Sequence, residues 1–217
     1  MLKSLELRWF FKDTLPINIY QWFEKILPGN EKFEEEPRSD YYLIPQSEDL
    51  GVKLSRQQLQ IKIKKNNVNF SLKNNNIQGI LEHWIRYSWN SVSSTESKTI
   101  DTFEKFSYIK VDKKRLIRKY KISDDIPIQI PLSNIIDTKC SIEITKINVK
   151  GQTWSTLAFD WFLDNNKNDI AISIDHIINN KIFNKTIKVL FDQYPEDRIT
   201  KKINSFSYPS FLSKLSK

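Results

Sequence analysis

Residues 4–11 form the stretch that most constrains what this chain can fold into. With a period of two, the spacing of a β-strand, its apolar and polar side chains fall on opposite faces. The apolar face carries Leu5, Leu7, Trp9 and Phe11, and the polar face carries Ser4, Glu6 and Arg8. The pattern predicts a strand that packs one face on a core and holds an acid and a base together on the other.

Two arrangements explain the charged face of this strand. In an open antiparallel sheet the face would meet water, as one face of such sheets commonly does. In a closed barrel the same face would line a polar interior. The strand alone leaves both interpretations open, so the charges on the other strands must help to choose between them.

Alternation continues through the middle of the chain. Residues 40–44 and 51–54 predict short strands, residues 58–64 give the clearest alternation, and residues 68–73 predict another strand. Short polar turns separate these strands, as in antiparallel hairpins, and parallel pairing would need long crossovers between them. Residues 77–89 fit either a helix or a strand, and their β-branched and aromatic content favours a strand.

The flanking segments are less regular. Thr14 as an N-cap and Pro16 in the first turn predict a helix that continues through residues 19–26, and the charged residues 30–39 predict a loop. Later, a hairpin is predicted from two strands joined at residues 112–114, followed by an irregular segment at 124–131. The remaining predictions are strands at 140–145 and 154–162, a helix at 168–178 and an aromatic tail at 205–212 that packs on the body.

Together these elements predict an α+β fold that is mainly antiparallel β. About eight strands are enough to close a barrel around a small interior. We therefore expect a closed or nearly closed barrel, or tunnel, with flanking helices. We expect one domain over residues 1–217, with the barrel in residues 1–162 and a helical and irregular segment in residues 163–217.

Composition limits the class of protein. The single cysteine, Cys140, excludes a disulfide framework within the chain, which fits a reducing compartment. The start lacks a signal-peptide pattern, and no segment reaches the roughly 18 apolar residues of a membrane span, so we expect a cytoplasmic protein with no membrane partner. The net charge of +8 accompanies heavy use of Lys, Asn and Ile, which reflects codon composition. Nucleic-acid binding is therefore the weakest interpretation.

The polar faces of several predicted strands carry cations with a few acids. Lys and Arg donate hydrogen bonds to phosphate, and carboxylates can hold a divalent ion such as Mg²⁺ or Mn²⁺ against it. The sequence contains no glycine-rich phosphate loop and no pair of residues that would form a nucleophile and its base, so no catalytic residue is assigned. The candidate phosphate-binding residues are Arg8, Lys53, Lys62, Lys64, Lys113 and Arg115, and the candidate metal ligands are Glu6 and Glu143.

The order of these motifs resembles the CYTH superfamily, the triphosphate tunnel metalloenzymes, over residues 1–162. Members open with a Glu-x-Glu-x-Lys strand, which residues 4–8 match as Ser-Leu-Glu-Leu-Arg. Residues 40–42 resemble the family's Tyr-rich strand, residues 111–115 its Val-x-Lys-x-Arg stretch, and residues 141–143 its late Glu-x-Glu strand. The chain is also similar to CYTH-like proteins of cyanobacteria that share a Leu-Glu-x-Arg-Trp-Phe opening and a Ser-Tyr-Pro ending.

The resemblance implies a tunnel that binds or hydrolyses triphosphates with Mg²⁺ or Mn²⁺. In both paired-acid motifs one acid is replaced, by Ser4 and by Ser141, which leaves Glu6 and Glu143. Lost acids with retained bases favour binding of a phosphorylated anion over robust hydrolysis. Whether the chain is an enzyme stays open; the resemblance implies a metal-dependent triphosphatase-like phosphohydrolase if it is.

An interpretation of another class is a non-catalytic interaction or structural protein that keeps the barrel as a scaffold. Trp84, Trp89 and the aromatic tail from Phe206 to Phe211 would then serve a protein partner. Exposed aromatic patches mark such surfaces. The two interpretations differ in whether the inward charges converge on one cavity.

Overall fold

A computed structural model gives the architecture of most of the chain. The helix predicted at residues 168–178 lies outside the residues that it describes. The described residues are 1–29, 34–44, 47–72, 76–90, 108–134, 136–163, 179–195 and 201–216.

Nine described strands form one antiparallel sheet, and eight of them close into a barrel. The strands are β1 (Leu2–Lys12), β2 (Glu34–Leu43), β3 (Leu50–Ser55), β4 (Gln58–Leu72), β5 (Ile77–Asn90), β6 (Tyr108–Ser123), β7 (Ile126–Ile130), β8 (Cys140–Val149) and β9 (Gln152–Leu163). Their order is β2-β3-β4-β5-β1-β9-β8-β6, and β6 pairs with β2 to complete the ring. The ninth strand, β7, extends the sheet from one end of β6. The predicted closed barrel, mainly antiparallel β, is confirmed.

Short helices flank the barrel. They are α1 (Ile17–Gln21), which continues as a π-helical turn at Trp22–Ile26, then α2 (Lys181–Phe191), a 3₁₀ turn at Lys202–Asn204, and α3 (Tyr208–Ser216). The predicted early helix is present, but Thr14 does not cap it: Pro16 holds the N-cap position, and no side chain there accepts a hydrogen bond. No helix within the described ranges has the length and apolar character needed to cross a membrane.

Three two-residue turns set the register of neighbouring strands. Residues 56–57, 124–125 and 150–151 all have positive φ, between 48° and 72°. Two such residues in succession are typical of type I′ turns, whose twist matches that of the flanking strands. The turn at 150–151 places glycine at one of these positions, where the absent Cβ removes the steric penalty.

Three segments differ from the sequence prediction. β6 runs unbroken through residues 112–114, because the alternation persists there: Lys113 is buried on the inner face, while Asp112 is exposed. Residues 34–39, predicted as a loop, belong to β2 and pair with residues 112–117 of β6. Residues 126–130, predicted as irregular, form β7. Residues 34–39 have the composition of a loop, but they form a strand because they pair with β6, which is distant in sequence.

The larger apolar core lies outside the barrel, between its wall and the helices. Leu5, Leu7 and Trp9 on the outer face of β1 are fully buried and belong to one core with the apolar faces of α1 and α2. The Trp22 ring stacks on the Phe191 ring with centroids 5.5 Å apart. The apolar face predicted for residues 4–11 therefore packs on a core, and its polar face points into the barrel.

A second apolar cluster closes one end of the barrel interior. Phe10 stacks on Phe211 of α3 with ring centroids 4.2 Å apart. The chain reaches this position by running beside β1, where the Phe206 N–H donates to the Arg8 carbonyl at 3.2 Å. A Cβ on Gly79 would meet the Leu7 side chain at 2.5 Å and the side chain of Ser205 in the passing segment at 2.9 Å. The predicted packing of the aromatic tail is confirmed.

Candidate functional site

A polar cavity occupies the barrel interior next to the start of α3. Its empty volume is about 830 Å³, part of which is open to solvent. Each strand from β1 to β6 directs at least one cation into it, because the inner positions of all six strands alternate with outer ones. The lining cations are Arg8, Arg38, Lys53, Lys62, Arg86, Lys113 and Arg115, and the lining carboxylates are Glu6, Glu82, Glu143 and Asp160.

Glu143 on β8 joins two arginines across the cavity. Its Oε1 accepts from Arg8 Nη1 at 3.2 Å and from the Thr145 hydroxyl at 2.5 Å. Its Oε2 accepts from Arg115 Nε at 2.9 Å and also from the Arg115 Nη2. Burial alone would raise the pKa of Glu143, but the two guanidinium groups hold that pKa well below its usual range. Both oxygens of this carboxylate are therefore engaged.

Asp40 on β2 is fully buried and is the centre of a second cluster. Its carboxylate lies 2.7 Å from Lys113 Nζ, 3.1 Å from Lys53 Nζ and 3.3 Å from the Arg38 guanidinium, and accepts from the Ser55 hydroxyl at 2.5 Å. Burial opposes ionisation, but these cations hold the pKa of Asp40 below its usual range. Burial lowers the pKa of Lys53 to about 7 and that of Lys113 well below its usual value, even though Asp40 favours their charged forms.

Three carboxylates form a row on adjacent strands. Glu6 on β1 is the register partner of Glu82 on β5 and of Asp160 on β9. Glu6 accepts from Lys62 Nζ at 2.5 Å and from the Ser4 hydroxyl at 2.8 Å, and these contacts lower its pKa despite burial. Burial raises the pKa of Glu82 to about 7, and burial with the nearby Glu6 charge raises that of Asp160 to about 7. These two acids are therefore partly protonated at neutral pH.

Arg86 on β5 differs from the other lining cations. It is the register partner of Lys62 on β4, and its side chain makes no hydrogen bond or ion pair with the described part of the chain. Lys64 lies outside the cavity lining, with its Nζ 2.8 Å from Asp49 and 3.5 Å from Glu82. Arg86 thus offers unused hydrogen-bond donors to a ligand.

The first residues of α3 form part of the cavity wall. The Tyr208 ring lies 3.9 Å from Lys113 Nζ and 5.1 Å from Arg8 Cζ, so it faces both cations. A Cβ on Gly51 of β3 would meet Pro209 Cγ at 3.1 Å, so a glycine there leaves room for the start of the helix. The tail limits the depth of the cavity.

The aromatic residues considered for a protein partner lie in different places. Phe206 and Phe211 pack in the inner cluster with α3, and Trp84 is buried in the cavity wall. Trp89, near the end of β5, is 49% exposed. Of these residues, Trp89 is the one available to a partner.

Seven of the eight predicted site residues line the same cavity, and Lys64 is the exception. The predicted interior of mostly cations is corrected, because six carboxylates accompany the seven lining cations: the four that line the cavity, with Asp40 and Glu36 bonded to its cations. The alternation along β5 and β9 does predict that Glu82 and Asp160 face inward, because apolar residues occupy the opposite face of each strand. The missed residues are Glu36, Arg38, Asp40, Glu82, Arg86 and Asp160.

The two candidate metal ligands do not fit a divalent ion in this arrangement. Mg²⁺ needs carboxylate oxygens in near-octahedral geometry. Both Glu143 oxygens accept from arginine or threonine, and Glu6 accepts from Lys62 and Ser4. Within the described ranges, no three His, Cys, Asp or Glu side chains are grouped so that they could hold a metal ion.

Comparison with known proteins gives a likeness in structure but none in sequence. No known family and no curated protein matches the chain in sequence. Among solved structures, the S. pombe Pct1 RNA triphosphatase in complex with the Spt5 CTD matches with a TM-score of 0.39 and 9% sequence identity. The match covers 74% of this chain and 71% of that chain. Likeness at this level does not bear on function, which must be argued from the cavity.

Proposed function

We propose that the barrel cavity binds a phosphorylated anion. The observation that supports this is the convergence of seven Lys and Arg side chains from six consecutive strands on one cavity. Arginine and lysine form charge-assisted hydrogen bonds with phosphate oxygens, and these bonds are about twice as strong as neutral ones. A solvated sheet face would not bring charges from all these strands to a single enclosed volume.

We further propose that the chain is a divergent CYTH-like barrel. The inner face of β1 carries the Glu-x-Arg remnant of the family's opening strand, and Glu143 on β8 stands at the remaining acid of the late motif. Both acids are bonded to cations of the chain itself. Binding is therefore the function proposed, and metal-dependent hydrolysis is not part of it.

A thermal-shift and calorimetry screen with phosphate, pyrophosphate, triphosphate and nucleotides tests this function. A ligand at 100 times its dissociation constant stabilises the folded state by about 2.7 kcal/mol, which a melting curve resolves. Lys53→Gln should weaken binding about tenfold, or 1.4 kcal/mol. The fold should tolerate this change, because Asp40 keeps Lys113 and Arg38 as partners.

Lys110→Gln is the matched control. Lys110 is also on a barrel strand, but its side chain is 51% exposed and pairs with Asp112 outside the cavity. Binding should be unchanged in this variant. If no phosphorylated anion shifts the melting temperature, or if both variants weaken binding equally, the cavity is not the site and the proposal fails.

A further inference from the structure

We propose that the ligand of this cavity is a phosphate monoester or free phosphate, held first by Arg86 with Lys62, and that its binding needs no divalent ion. This inference rests on the proposed function and specifies its ligand. It follows from the charges in the cavity, from which of them are already paired, and from where solvent enters.

The cavity has little surplus charge. Its seven cations face six carboxylates, and the exposed Arg56 also contacts Glu36, so with every group ionised the formal surplus is one to two positive charges. Lys64 does not change this balance, because it bonds to Asp49 as well as to Glu82. A phosphate monoester carries about −1.5 to −2 charges at neutral pH, close to what this surplus can offset. An inorganic triphosphate carries several more charges and would leave most of them uncompensated.

Almost every cation already has a partner. Lys113, Lys53 and Arg38 contact Asp40. The other pairs are Arg8 and Arg115 with Glu143, Arg115 with Glu36, and Lys62 with Glu6. Taking a cation from a buried carboxylate leaves that charge uncompensated, at a large cost in free energy. A triphosphate would have to break several of these pairs, whereas a single phosphoryl group held by Arg86 and Lys62 competes only with the pair between Lys62 and Glu6.

Arg86 supplies the free donors. Its guanidinium makes no side-chain hydrogen bond or ion pair to any described residue, and a guanidinium can hold one phosphoryl group by two parallel hydrogen bonds. Lys62 is its register partner on β4, so the two side chains leave neighbouring positions on the same face. Lys62 is 28% exposed, more than the 2% of Lys113 or the 10% of Arg8, which places this pair at the solvent side of the cavity.

The arrangement also argues against a bridging metal ion. A divalent ion would have to displace Lys62 from Glu6, or the arginines from Glu143, to gain their oxygens. Asp160 keeps one oxygen without a hydrogen bond, but burial raises its pKa to about 7, and one partly protonated carboxylate supplies too few ligands for such an ion. Chelators should therefore leave the binding of phosphate unchanged.

Isothermal titration of inorganic phosphate, pyrophosphate and triphosphate, each with EDTA or with Mg²⁺ at matched ionic strength, tests the proposal. We expect phosphate to bind at least as tightly as triphosphate in EDTA, and Mg²⁺ to leave phosphate affinity unchanged. Arg86→Gln should weaken phosphate binding at least tenfold. Lys110→Gln, with a 51% exposed side chain that pairs with Asp112 outside the cavity, should not.

The outcomes separate this proposal from the function on which it rests. If triphosphate binds more than tenfold tighter than phosphate, or binds only with Mg²⁺, the ligand class is wrong while anion binding stands. Unchanged phosphate affinity in Arg86→Gln, with melting curves that show a folded variant, removes the role of Arg86. If none of the three anions binds, the proposed function itself fails.

Discussion

Replacing Asp40 with Asn removes a negative charge that three buried cations share. The shape of the side chain is nearly kept, so packing changes little. Lys113, 2% exposed, and Lys53, 14% exposed, would lose their carboxylate, and Arg38 would keep only its longer contact with Glu36. The amide nitrogen of asparagine would also place a hydrogen-bond donor next to the lysine and arginine groups, which are themselves donors. This substitution therefore measures how far the barrel interior depends on internal charge compensation.

The magnitude follows from the burial of the cluster. Breaking a buried ion pair by removing one partner costs about 3–5 kcal/mol, because the remaining charge is left uncompensated. Lys53, whose pKa is about 7, and Lys113, whose pKa is also lowered by burial, can limit this cost by releasing protons, whereas Arg38 cannot. We expect Asp40→Asn to lower the free energy of unfolding by about 3–5 kcal/mol at neutral pH.

The pH dependence of this loss has a defined sign. In the variant both lysines should be neutral when folded and protonated when unfolded, so the unfolded state binds more protons. Stability then rises with pH, and the deficit against the wild type should shrink between about pH 6 and pH 8, as the wild type loses the proton of Lys53, whose pKa is about 7. The wild type gains less over this range, because Asp40 favours the protonated lysines in its folded state.

Urea unfolding followed by tryptophan fluorescence measures the effect, since the chain has six tryptophans. Asp112→Asn is the control: its carboxylate accepts from the Ser39 hydroxyl at 2.5 Å, as Asp40 does from Ser55, but its side chain is 50% exposed. The control should lose less than about 1 kcal/mol. Equal losses in the two variants, or a deficit that does not shrink with pH, would refute the reasoning.

Two further predictions concern the outer wall and the cavity. Leu7→Ala should lower the free energy of unfolding by about 2–5 kcal/mol, because Leu7 is fully buried. Ile63→Ala, at a position 37% exposed, should cost clearly less in the same urea titration. Sulfate, which keeps its charge between about pH 6 and pH 8, should bind more tightly at the lower pH, because Lys53, Glu82 and Asp160 all have a pKa of about 7 and gain protons there. Calorimetry that finds equal affinity at both pH values would contradict this assignment.

The inward position of the central charges could be predicted from local alternation. Leu5 and Leu7 had to share an apolar face, and a slip of one residue would have exposed them, so Glu6 and Arg8 had to face the other side. The same reasoning placed Lys62 correctly between Ile61 and Ile63. Wherever a strand has one apolar face, the face of each charge follows from sequence.

The partners of those charges could not be predicted in the same way. Asp40 meets Lys113 because β2 pairs with β6, whose paired residues lie far apart in the chain. The sequence of neither segment predicts this pairing. Residues 34–39 are as rich in charged residues as a solvent-exposed loop, and residues 112–114 have the polar composition of a turn. The counterions of the cavity are fixed by how the barrel closes, which is a property of the whole sheet.

Internal compensation also determines how such a cavity can recognise an anion. A ligand that binds Arg8 or Arg115 must displace Glu143 from that arginine. Its net binding free energy is therefore only the difference between its own interaction with the arginine and that of Glu143. A ligand that meets Arg86 displaces no carboxylate of the described chain and keeps the full interaction. Selectivity therefore favours ligands small enough in charge to use Arg86 with its neighbour Lys62, and each further phosphoryl group would add less affinity than the one before it.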